Sequence, residues 1–190
     1  MITPMNEMTR IVAASPDEVR TRLTRAEFLR MDECGAFDDL KVELVDGELQ
    51  FMQRPKNNHA MRQAQLLIRL AAVVGEEHVR GEAAIDLGHD TVLTCDGAVL
   101  VRPVTENRML RPEDLLLVVE ISETTRRRDL GMKRLKYAAA GVGFYWVVDG
   151  DHGVAHVHSA PADGDYVEVQ TVRFGQMMTV PGEKGTVTLS

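Results

Sequence analysis

Between Leu115 and Ile121 every side chain is aliphatic except Glu120, and Phe144-Tyr145-Trp146-Val147-Val148 is apolar throughout. Runs without polar alternation predict strands covered on both faces. Glu82 to Leu87 and Val92 to Val101 also predict strands, the second with a break near Gly97. Val42-Glu43-Leu44-Val45 and Glu48-Leu49-Gln50-Phe51 flank Asp46-Gly47. That pair suits a tight primed turn, so Lys41 to Met52 predicts a hairpin. From about Asn58 to Val74, Met61, Ala64, Ile68 and Ala71 or Ala72 recur at helical spacing, which predicts a helix across the sheet.

Ser15-Pro16-Asp17-Glu18 and Thr24-Arg25-Ala26-Glu27 carry start signals for two short helices. Thr124 or Thr125 caps a further helix that runs to about Ala140 and stops at Gly141. Val154 to His158, Tyr166 to Val172 and Thr186 to Leu189 predict closing strands. Residues 1–14 carry no pattern and are expected to form a flexible arm, which leaves 15–190 as a single domain. The order of elements predicts an α/β sandwich around a mixed sheet.

Composition narrows the class. A chain of 190 residues with 44% hydrophobic content can fill one core. The net charge of −7 means that the surface as a whole does not advertise nucleic-acid binding. Positive charge is nevertheless concentrated locally, in Arg126, Arg127, Arg128, Lys133, Arg134 and Lys136. Cys34 and Cys95 lack metal-type spacing, no apolar run reaches membrane-spanning length, and the start is not a signal peptide. A cytoplasmic protein without membrane contact is expected.

The candidate chemistry lies in Asp96 and Glu120, two carboxylates set in apolar strands. An unpaired buried carboxylate costs on the order of several kcal/mol, so each needs compensation. A divalent cation is one solution, since Mg²⁺ is held by one or two carboxylates with waters and phosphate oxygens completing its shell. The other solution is structural: backbone donors at the Gly97 turn for Asp96, and a lysine or arginine for Glu120. Asp129, Lys133 and Tyr137 fall at i, i+4 and i+8, so one helix face could bring Lys133 back over the Glu120 strand. Asp129 and Lys133 could equally pair with each other, and Tyr137 is expected to pack beside Trp146. His59, at the start of the long helix, reads as a surface residue, and His156 and His158 as exposed. The Arg126-Arg127-Arg128 run reads as a solvated helix start able to contact phosphates.

These residues resemble a known family. Glu43-Leu44-Val45-Asp46-Gly47-Glu48-Leu49, the Asp96 strand, Val118-Val119-Glu120, Asp129-x3-Lys133-x3-Tyr137-x3-Gly141-Val142 and Tyr145-Trp146-Val147-Val148-Asp149 are similar to the Uma-two family. That family belongs to the restriction-endonuclease-like PD-(D/E)xK nucleases, and the likeness covers roughly Leu23 to His158. It implies an α-β-β-β-α-β core with a mixed central sheet flanked by helices and extra C-terminal strands. It also implies Asp96 and Glu120 as metal ligands, Lys133 as the catalytic lysine moved from strand to helix, and Glu43 as an assisting acid. Cys95 stands where the family has proline, and Ser122 where the superfamily has its strand lysine.

The resulting expectation is an endonuclease that hydrolyses DNA phosphodiester bonds with Mg²⁺ or Mn²⁺. Asp96, Glu120 and Lys133 would be catalytic, and Arg126, Arg127, Arg128 and Lys136 would contact backbone phosphates. A homodimer is expected. The alternative is a catalytically impaired nuclease fold that serves as a binding or regulatory module.

Overall fold

Asp46 and Gly47 adopt positive φ, 50° and 82°, as a primed turn demands, and close the hairpin of β1 (Val42–Val45) and β2 (Glu48–Phe51). The structure, a computed structural model, describes residues 22–123, 125–182 and 184–190. The predicted arm, the Ser15 helix start and the Thr124 cap lie outside the described residues. Thr24 caps α1 (Arg25–Glu33) with the predicted box: its hydroxyl accepts from the Glu27 N–H while Glu27 reaches back to the Thr24 backbone.

The sheet orders its strands β2-β1-β4-β5-β6-β7-β8, with β3 (Val79–Gly88) also paired to β4 (Thr91–Leu100). β5 (Leu115–Ser122) runs parallel to β6 (Phe144–Asp149), and the other sheet pairs are antiparallel. β7 (Val154–Ala162) and β8 (Asp165–Arg173) extend the far side. A short ribbon of β9 (Met177–Val180) and β10 (Gly185–Thr188) closes the chain, and β9 was not predicted.

One face of the sheet packs Tyr145 and Val147 under the helix that carries Tyr137 and Ala138. The other packs Trp146 and Val148 under Leu66 and Leu70 of α2 (Asn57–Val74) and under the β9–β10 ribbon. Neighbouring strand residues point to opposite faces. Tyr137 therefore packs against Tyr145, ring centroids 5.1 Å apart and tilted by 38°, and the expectation that it packs beside Trp146 fails.

α2 docks by a face other than the predicted one. Met61 and Ile68 are exposed, while Gln63, Leu66 and Leu70 are buried. Gly81 and Gly97 are cross-strand partners on β3 and β4, and Leu67 lies over both. A Cβ at Gly81 would come within 2.7 Å of Leu67 Cδ1, and one at Gly97 within 3.2 Å of Cδ2. Gly97 thus does not break the strand; it lets the helix approach it.

β4 has three partners, and this creates the central irregularity. β3 follows one edge of β4 from Thr91 to Val99. On the opposite edge β1 pairs at Val92 and β5 from Gly97 to Leu100. Between those points β1 and β5 diverge, and the sheet forks beside Thr94 and Asp96.

Candidate active site

The fork exposes strand-edge groups that side chains must satisfy, because a buried unpaired peptide group is costly. Glu43 Oε1 accepts from Thr94 N–H at 2.9 Å, and Lys133 Nζ donates to the Thr94 carbonyl at 2.8 Å. Lys133 also donates to Glu120 Oε1 at 2.8 Å and lies 3.2 Å from Glu43 Oε1. Glu43, Glu120 and Lys133 are 1%, 3% and 2% exposed, so these charges meet in a nearly dry space.

The helix that delivers Lys133, here α3, comprises Arg126–Arg128, a π-helical segment Asp129–Lys133 and Arg134–Ala139. The sequence predicted a uniform α-helix. A π turn is wider and is found frequently at functional sites. Here it ends on Lys133, with Asp129, Lys133 and Tyr137 all buried on the side facing the sheet. Tyr137 donates its hydroxyl to Glu120 Oε1 at 3.1 Å, the same oxygen that Lys133 bonds. Asp129 does not pair with Lys133. Its carboxylate accepts from Thr125 Oγ1 at 2.5 Å, and its carbonyl from the Tyr145 hydroxyl at 3.0 Å.

Asp96 sits at the more open end of the fork, with 20% of its side chain exposed. Oδ2 accepts the Ile121 N–H of β5 at 2.6 Å, and Oδ1 accepts from His59 Nε2 at 3.1 Å. Gln63 donates to the Asp96 carbonyl at 2.8 Å. His59, Gln63 and Leu67 stand at i, i+4 and i+8, so the close docking over Gly81 and Gly97 also sets the first two on Asp96. The expectation of a surface His59 fails, and Gln63 was not foreseen. The signal was available in that spacing, but Met61 and Ile68 offered a competing apolar stripe.

Carboxylates outnumber basic side chains here. Four carboxylates, Glu43, Asp96, Glu120 and Asp129, share this region with Lys133, Arg128 and His59. Burial pushes the Glu120 carboxyl well above its ordinary range; Lys133 opposes the rise, and Asp96 and Asp129 add to it. Burial lowers the Lys133 pKa, but Glu120 and Glu43 outweigh it and hold the amine above the ordinary lysine value. Lys133 Nζ donates to Thr94 O and Glu120 and stands in ion-pair contact with Glu43, surroundings that favour its charged form. Asp129 is also raised, chiefly by burial, and the bond to Asp96 raises the pKa of His59.

The donor chemistry fits a hard divalent ion. Asp96 and Glu120 are oxygen ligands, and Glu120 Oε2 takes no hydrogen bond from a described residue. Among the described residues no three His, Cys, Asp or Glu side chains already surround one point. An ion held here would therefore use Asp96 and Glu120, with water in its remaining positions.

Three of the four basic residues expected to contact phosphates pair with acidic side chains. Arg126 bonds Asp149 at 2.7 Å, Arg128 pairs with Glu43 and bonds Gln50 at 3.0 Å, and Lys136 pairs with Asp46. Arg127 is exposed. His158 is buried, donating from Nδ1 to the Tyr145 carbonyl at 3.2 Å, and His156 is half-buried; neither is the exposed residue expected. Among the described residues no helix is long and apolar enough to cross a membrane.

A family model described as Uma2, putative restriction endonuclease, matches residues 25–189. The chain belongs to the Uma2 family. Among solved structures it is similar to a putative nuclease of DUF820 from Anabaena variabilis. The two are 18% identical, the match covers 87% of this chain and 94% of that one, and the TM-score is 0.66. No curated protein matches the chain. The resemblance to Uma-two is thereby borne out, as is the restriction-endonuclease-like fold with helices flanking a mixed sheet. Within the Uma2 fold, Glu43, Asp96, Glu120 and Lys133 all lie at the fork.

Proposed function

We propose that this Uma2 protein is a metal-dependent endonuclease that hydrolyses phosphodiester bonds of DNA, with Mg²⁺ or Mn²⁺ held by Asp96 and Glu120. The observation that carries the reading is the meeting of Lys133 with Glu120 at the point where Asp96 is tied to the next β5 residue. The Ile121 N–H orients the Asp96 carboxylate, and Lys133 and Tyr137 both load Glu120 Oε1, which leaves Oε2 to face a ligand. A bound divalent ion lowers the pKa of its water and stabilises the charge that develops on a phosphoryl group. Lys133 then supplies a positive charge beside the scissile phosphate, and Glu43 fixes the amine from its other side. Cleavage of plasmid DNA by the parent in Mg²⁺, abolished in Asp96→Ala and Glu120→Ala proteins that remain folded, is the expected outcome. Equal cleavage by the variants would refute the assignment.

A second reading has its own support. Lys133 donates to the Thr94 carbonyl and Glu120 and forms an ion pair with Glu43, which is what a purely structural lysine would do. The fold would then serve as a binding or regulatory module. A parent protein that binds DNA but leaves plasmid, oligonucleotide and nucleotide substrates intact in Mg²⁺ and in Mn²⁺ would favour the module.

A further inference from the structure

The cations nearest the fork are largely neutralised within the protein. Arg62, Arg126, Arg128 and Lys136 are held by Glu123, Asp149, Glu43 and Asp46. A phosphodiester backbone approaching Asp96 and Glu120 would meet those pairs, and the carboxylates themselves repel it. Cations without such partners must offset that repulsion.

The segment between β2 and α2 supplies them. Arg54 and Lys56 are exposed, and neither is paired with a carboxylate among the described residues. Their position follows from the anchors on either side. Met52 receives Arg128 on its Sδ and donates its N–H to the Lys41 carbonyl at 2.8 Å, while His59 bonds Asp96. Residues 53–56 therefore pass from the Arg128 side of the fork to the Asp96 side, and Pro55 stiffens that passage. Arg127 is exposed on α3 between Arg126 and Arg128, and likewise lacks a described carboxylate partner.

We propose that Arg54 and Lys56 of the β2–α2 segment, with Arg127 of α3, form a cationic rim that seats a DNA backbone over the carboxylates. This rests on the nuclease reading and replaces Arg126, Arg128 and Lys136 as the phosphate contacts. The test is binding of a fluorescein-labelled duplex oligonucleotide by anisotropy, in EDTA, across a sodium chloride series. The proteins are the parent, the double variant Arg54→Gln/Lys56→Gln, the single variant Arg127→Gln, and Arg173→Gln on β8 as a control outside the rim.

Each lost phosphate contact lowers the slope of log affinity against log salt by about 0.9. The double variant is expected to lose about two such contacts and Arg127→Gln about one, with Arg173→Gln unchanged. Parent-like slopes and affinities in the double and Arg127 variants would overturn the rim and leave the nuclease reading standing. Failure of the parent to bind the duplex would also overturn the rim, and the nuclease reading would still stand or fall on plasmid cleavage in Mg²⁺. Equal losses in Arg173→Gln would show diffuse attraction and overturn the rim alone.

Discussion

Lys133 separates chemistry from architecture at the scale of one residue. Its amine compensates two buried carboxylates and one strand carbonyl, so it has a structural task whether or not DNA is cut. Lys133→Ala should therefore destabilise the fold by about 3–5 kcal/mol, the range for stripping one partner from a buried ion pair. Urea unfolding measures this, and a loss below ~1 kcal/mol would mean that Glu43 and Glu120 are compensated elsewhere. Tyr137→Phe keeps the ring on Tyr145 and removes only the bond to Glu120, so about 1 kcal/mol is expected by the same measurement. Asp149 gives the acid limb of stability. Burial raises its carboxyl, but His152 and Arg126 outweigh burial and hold it below the ordinary aspartate value. A folded pKa below the unfolded one adds stability that is present above roughly pH 4 and lost as pH falls through the folded value. The gap in urea midpoint between the parent and Asp149→Asn should be widest at neutral pH and narrow in acid. A gap independent of pH would contradict that coupling.

At the scale of elements, hydrophobic pattern revealed what local chemistry determines. The Asp46-Gly47 hairpin, the Thr24 cap and the two apolar strands with Glu120 and Trp146 were legible because turn residues, caps and unbroken aliphatic runs each act over a few positions. The burial face of α2 was not, because it is chosen by the glycine pair on β3 and β4, distant in sequence from Leu67. Nor was the π segment of α3, which no local residue signal marks. Gly81→Ala tests the docking: its Cβ would strike Leu67 Cδ1, and overpacking of this kind costs about 1–3 kcal/mol. Denaturant unfolding of that variant at parent stability would mean that Leu67 has room to move and does not seat the helix.

Across the whole molecule, an acidic protein gathers Glu43, Asp96, Glu120 and Lys133 at a fork of one sheet and leaves Arg54, Lys56 and Arg127 exposed. The order of motifs identified the carboxylates and Lys133, because each sits on a strand or helix whose direction the pattern fixes. It could not identify which arginines are neutralised, since the Arg126–Asp149 and Arg128–Glu43 pairs join distant segments. It missed His59 for the same reason. The central claim is that the fork accepts a divalent ion through Asp96 and Glu120. Titration calorimetry of Mn²⁺ and Mg²⁺ into the parent and into folded Asp96→Ala tests this most directly. Saturable binding by the parent that is lost in Asp96→Ala is the predicted result. No binding, or binding that Asp96→Ala leaves unchanged, would contradict it.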